Sequence, residues 1–342
     1  MRIHTPLLLA AVALGATLAT AEAGAQAPPA TLVAQYAMPA SAQGRFDHVR
    51  VDRANNWLLL AGESAHKVFL FNLATGRYER SIGGIGIPHA TFVRDDLHRI
   101  YVTDGGAGAM KIYDSRSFKL LASIPLKVDA DSIGYDPASH DLYIDSGGGD
   151  AHQTYSMFTT VDTTADRKLN DMTINGDTLE AIALEDGSPR LYINNRGRNQ
   201  IAVVDRNTHK LVASWPVTKA KVNVAMALDQ ADHLLFIGCR SGAIVVMDTR
   251  TGKELQSLPI PTGIDDLIYD AAHHRLYAAC GDGPGALSIY QQSSPEHYQL
   301  LGNLPTGPGA KNMALSSRLH RLYLAVPPHG TTAGTINVYQ VP

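Results

Sequence analysis

Cysteine is almost missing from this chain, with Cys239 and Cys280 the only two in 342 residues, which rules out a scaffold held together by disulfides. Tryptophan is as scarce, with two residues, and this counts against the stacking platforms that single-stranded nucleic acid needs. Charged residues make up only 18% of the chain and the formal net charge is -3, so it is not a generally basic nucleic-acid binder. Past residue 19 no apolar run approaches the roughly 20 residues of a membrane span. No segment carries an amphipathic 3.6-residue period. Catalytic templates are lacking too: there is no G-x-S-x-G elbow, no G-x-x-x-x-G-K-[ST] phosphate loop, no C-x-x-C-H haem attachment and no HExxH or CxxC ligand spacing.

What is present begins with MRIHTPLLLAAVALGATLATAEAGAQA, where Arg2 precedes an apolar stretch from Leu7 to Ala19 and then small residues. This pattern predicts a secretory signal over 1–25 and a single domain over 26–342. Ala23 and Ala25 fit the cleavage rule, whereas cutting after Ala27 would set Pro28 beside the scissile bond. No cysteine follows to accept a lipid, and the expected location is periplasmic or secreted. An oxidising compartment makes a Cys239–Cys280 disulfide the default expectation.

The remainder repeats itself. RIYVTDGGAGAMKIYDSRSFKLLASIPL at 99 to 126 is echoed by RLYINNRGRNQIAVVDRNTHKLVASWPV at 190 to 217. An apolar-aromatic pair recurs at Leu59, Tyr101, Tyr143, Tyr192, Phe236, Tyr277 and Tyr323, with gaps of 42, 42, 49, 44, 41 and 46 residues. A period in the low forties with four short strand-like runs per unit predicts an all-β, seven-bladed propeller. Within a unit, strand a ends in an acidic residue (FDHVRVD, NVAMALD), strand b is the aromatic run, strand c ends at a turn, and strand d follows. Asp114, Asp205 and Asp248 fall where an Asx-turn closes the c–d hairpin. The last unit stops one strand short at INVYQVP, and TLVAQYAMPA near the start is an orphan strand, so the N-terminal strand is expected to close the ring. The repeat also overturns the disulfide. The two cysteines hold equivalent positions in neighbouring blades, roughly 10 Å apart, beyond the reach of about 7 Å between Cα atoms.

YVTD at 101 to 104, with an apolar-x-apolar-Tyr-Asp run after the Gly-rich turn, resembles the YVTN-type β-propeller repeat of bacterial secreted proteins. The likeness spans nearly the whole mature chain, and no blade carries the four letters intact. It implies a propeller fold. Its functional implication is broad: binding proteins, surface or periplasmic scaffolds and one periplasmic DNA binder, with lyases and lactone hydrolases among related propellers.

Adjacent strands run antiparallel, so the d–a and b–c loops share one face of the disc. The entry to strand a carries Asp47 and His48; His89; Asp129 and Asp131; Glu180; Asn223; Asp265 and Asp266; and Lys311 with Asn312. Polar groups lining a wet channel need no function, yet so much charge converging at one mouth points to a ligand site. Asp47, His48, Asp131, Asn223, Asp265, Arg196 and Arg240 are candidate ligand contacts, the guanidinium groups suiting a carboxylate or phosphate. His48, His89, Asp131, Glu180 and Asp265 are candidate metal ligands: carboxylates suit calcium, magnesium or manganese, and imidazoles bring zinc or iron into range. The glycines of GGAG, SGGGD, NNRGRN and GDGPG are read as suppliers of positive φ in b–c turns. The long interval between Tyr143 and Tyr192 predicts an enlarged loop over Gly147–Phe158, with His152 and Tyr155 as its candidate side chains. His273 and His274 belong to an a–b turn on the opposite face.

Two functions compete on these residues. The first is a secreted binding or scaffold propeller whose channel face takes a small molecule, a polymer or a protein. The second is a metal-dependent hydrolase or lyase, lactonase-like, with a cation at the mouth, Glu180 or His89 as general base, and Arg196 or Arg240 orienting an anionic substrate. An acidic mouth disfavours nucleic acid.

Overall fold

Strands b are the part of the chain whose burial explains the repeat. Arg190–Asn195 is buried at every position but its first, whereas Lys210–Pro216 is exposed over its first three residues and then alternates between half-buried and exposed ones. A strand covered by neighbouring blades on both faces reads as a continuous apolar run, and one at the rim reads as an alternation. The computed structural model describes Met1 and residues 28–342. Apart from Met1, the expected signal segment and its cleavage site lie outside the described residues.

Seven four-stranded antiparallel sheets make up the molecule. Blade 1 consists of Val49–Asp52, Trp57–Gly62, Lys67–Asn72 and Tyr78–Ile82, strands a to d from the inside out. Each strand a neighbours the strands a of the blades on either side, with blade 7 beside blade 1. In blade 7 the inner strands Asn312–Ser316, Arg321–Val326 and Thr335–Gln340 are completed by Thr31–Ala37, which pairs Thr31 with Gln340 and Ala37 with Thr335. The first strand of the described chain therefore hydrogen-bonds to the last, as the missing strand of the final repeat anticipates.

The core is a set of interblade layers in which the repeat's aromatic residues are buried: Tyr101, Tyr192, Tyr277 and Tyr323 are at most 1% exposed. Cys239 and Cys280 are free and buried in these layers, matching the expectation of unpaired thiols. The Asx-turns form as read, Asp114 Oδ1 accepting from the Ser117 N–H at 2.7 Å and Asp205 Oδ1 from the Thr208 N–H at 2.8 Å. Eight histidines, His66, His98, His140, His152, His209, His233, His274 and His320, occupy positive-φ turn positions, a conformation in which this residue type is enriched. Most of the chain's 14 histidines are thus explained by turn geometry. No helix among the described residues is long and apolar enough to cross a membrane.

The enlarged loop in blade 3 is smaller than the sequence suggests. Its extra residues go mainly into long strands, Tyr155–Asp162 and Arg167–Asn175, leaving a short 3-10 turn at Gly148–Ala151.

Candidate functional site at the channel mouth

One residue per blade builds the mouth, and in blades 2, 4, 5 and 6 a register shift between strands a and b places it there. In blade 6 Ile264 pairs with Cys280 and Asp266 with Ala279, leaving Asp265 as the extra residue of a bulge. Glu180 and His89 sit in the corresponding irregularities of blades 4 and 2. In blade 1 the Asp47 N–H and the His48 carbonyl both bond to Ala61. Such bulges re-aim a side chain where a ladder begins. The resulting ring is Asp47, His89, Asp131, Glu180, Val224, Asp265 and Lys311, and all seven line a cavity of about 290 Å³. Each follows a buried residue (Phe46, Pro88, Ala130, Leu179, Asn223, Ile264, Ala310). Each also precedes the strand-b marker of its own blade by 12 positions, as Asp47 does Leu59 and Lys311 does Tyr323.

The ring divides into two arcs. In blades 1 to 3, Asp47 Oδ2 lies 2.6 Å from His89 Nδ1, which is 3.9 Å from Asp131 Oδ1. In blades 4 to 7, Arg196 Nη1 donates to Glu180 Oε1 at 2.8 Å, while Asp265 accepts from Arg240 and, at 2.8 Å, from Lys311. Burial opposes charge on Asp47, but His48, the His89 hydrogen bond and Lys311 outweigh it and hold its carboxyl well below the usual range. Burial likewise opposes a charged His89, and Asp131 and Asp47 overcome it, pushing the imidazole up to about 10. Asp131 moves the other way: burial first, then the Asp47 and Glu180 charges, raise it despite His89 and His48. Burial raises Glu180 against the opposing Arg196 and Arg240.

The expected site residues are therefore largely gathered, with one correction. Asn223 does not face the cavity. It is fully buried, donating through Nδ2 to Asn194 Oδ1 at 2.9 Å and to the Gln200 carbonyl at 3.0 Å. Its polarity suggested a mouth position, but the bulge advances the mouth by one residue, to Val224. His48 lines the cavity and lies 3.4 Å from Asp266 rather than joining a ligand cluster. Glu180 and Asp265 stand with the guanidinium groups, apart from the His89 cluster. His152 belongs to a neighbouring cavity of about 420 Å³, and Tyr155 accepts from Gln153 at 2.9 Å. Rim residues Arg45, Glu63, Asp150 and Asp177 were missed. They lie in the same d–a and b–c loops, so the face was the available signal.

One glycine of the GGAG loop has a role besides turning. A Cβ on Gly105 would lie 2.6 Å from His89 Nε2, so the ring of His89 is backed directly by this residue.

Fold and mouth together define a seven-bladed β-propeller with a polar channel cavity. A chain in the solved structure described as "Crystal Structure of Mitotic Checkpoint Complex" is similar to it with a TM-score of 0.73, over 99% of this chain and 99% of that chain, at 15% identity. At that identity the likeness is one of fold alone. No protein-family model and no curated protein matches the sequence.

Proposed function

We propose that this protein is a binding propeller of the YVTN-type repeat class, exported to the periplasm or beyond the cell, that takes a small polar ligand at its channel mouth. The observation carrying this reading is the ring, in which every blade contributes one side chain to a single cavity of about 290 Å³. That volume is at the low end for ligand pockets and suits a small molecule better than a polymer or a protein. Export is supported by Arg2 and the apolar stretch that follows it. A metal-dependent hydrolase or lyase comes second, because both candidate bases are engaged: Glu180 by Arg196, and His89 through Nδ1 by Asp47.

Calorimetric titration with citrate, a small polyanion, and spermidine, a small polycation, tests the reading. Saturable binding of at least one probe is expected, and its loss in the Glu180→Gln/Arg240→Met double variant. No binding of either probe, or equal binding by the variant, overturns it.

A further inference from the structure

We propose that the arc formed by blades 1 to 3 holds a divalent transition-metal cation on Asp47, His89 and Asp131, which deepens the binding reading above and rests on it. Donor atoms of these three residues all lie within 4.8 Å of one another. Two carboxylate oxygens and one imidazole nitrogen form a mixed set that suits manganese or zinc. Metal–ligand bonds of about 2.0–2.2 Å require the donors to stand roughly 3 Å apart, so small side-chain rotations close the site. Because His89 Nε2 backs onto Gly105, Nδ1 is the nitrogen turned toward the carboxylates.

A second observation is independent of this clustering. Asp131 Oδ1 is sealed from water and accepts no hydrogen bond among the described residues. One strand outward Asp145, only 3% exposed, has an Oδ1 in the same condition, and the Asp131 N–H donates to the Asp145 carbonyl at 3.1 Å. Buried carboxylate oxygens ordinarily have partners. The opposite arc shows how a purely structural ring would provide them, since Glu180 has Arg196 and Asp265 has both Arg240 and Lys311. Asp47 and Asp131 have only His48 and His89 as ion-pair partners among the described residues. The cavity itself is lined by eight carboxylates against four Arg and Lys side chains, a field that concentrates cations. The coordination positions left open by three protein ligands face this cavity, where water or the organic ligand would complete the shell.

The test is titration of chelator-treated, full-length protein with Mn²⁺ alone and Zn²⁺ alone by calorimetry, with Co²⁺ as an absorption probe of the ligand field. One equivalent is expected to bind. His89→Ala and Asp131→Asn should each weaken binding by more than about tenfold, the least that loss of even an outer-sphere partner costs, and His273→Ala on the opposite face should leave it unchanged. Should His89→Ala fail to fold, the isosteric Asp131→Asn variant decides alone. Absence of stoichiometric metal in the wild-type protein, or undiminished binding in Asp131→Asn, overturns the site. Citrate or spermidine binding without any metal binding would overturn the cation site while leaving the binding reading in place.

Discussion

At Asp104 a single carboxylate with no solvent exposure joins two loops of the mouth face. It accepts the backbone N–H groups of Gly86, Ile87 and Ala107 at 2.8, 3.0 and 3.0 Å and pairs with Lys111 at 2.7 Å. Burial opposes ionisation, but these donors prevail and its pKa is lowered. Asp104→Ala should cost about 3 kcal/mol or more, since it strands a cation and three donors together. The sign of its pH dependence follows. A carboxyl depressed on folding stabilises above its unfolded pKa, near 3.9, and loses that contribution as pH falls through the lower folded value. Denaturant titrations from pH 7 down to 2.5 should therefore show a flatter acid limb in the variant, while parallel curves would contradict this account. Tyr113, a titratable neighbour of Asp104, is pushed up to about 12 and stays neutral through that range, so it does not mask the effect. Asn195 stands at the equivalent position of blade 4, donating to the Asn175 carbonyl at 2.9 Å, and Cys239 and Cys280 at those of blades 5 and 6. The thiols are thus isolated occupants of a loop-anchoring position, which spacing alone made legible. What polarity alone misplaced was Asn223. A bulge shifts the register by one residue, and only the constant offset from the strand-b aromatic, not the chemistry of the side chain, reveals it.

Among the elements, Thr31–Ala37 has the largest consequence for its length. It covers the edge of Thr335–Gln340, an edge that would otherwise present a row of free donors and acceptors. It also positions Tyr36, whose hydroxyl donates to the Leu73 carbonyl of blade 1 at 3.2 Å. A chain beginning after residue 41 should aggregate, or remain monomeric with a much lower melting temperature, by size-exclusion chromatography and calorimetry. A monomer with unchanged melting temperature would mean that this strand contributes nothing to the ring. Its role was legible because a repeat one strand short demands a donor from elsewhere in the chain. The length of blade 3 was misread for the opposite reason: extra residues look the same in a sequence whether they lengthen a hairpin or loosen a loop, and here Tyr155–Asp162 and Arg167–Asn175 pair from end to end with a single bulge at Leu169.

For the molecule as a whole, the two arcs of the mouth should respond oppositely to the loss of a carboxylate. Asp265→Ala leaves Arg240 and Lys311 facing each other with nothing between them, and should destabilise by about 3 kcal/mol. Asp131→Asn relieves a carboxyl that burial, Asp47 and Glu180 already disfavour as an anion, and should raise the stability of the cation-free protein by roughly 1 kcal/mol. Thermal melts of both variants at pH 7.5 in the presence of chelator check the pair, and a shift of the same sign in both would refute the division into arcs. The number of blades and the face carrying the charge were readable from the repeat. The pairing was not, because ring neighbours are separated by a whole blade of sequence and only closure sets them side by side. The 12-residue offset makes the mouth a string of seven letters, D-H-D-E-V-D-K in blade order, written at fixed intervals into a frame whose strand order does not depend on them, whatever each contributes to stability. Selection, or an engineer, can rewrite one letter without altering a loop or a strand, so that related propellers sharing this frame would differ in appetite while remaining superposable.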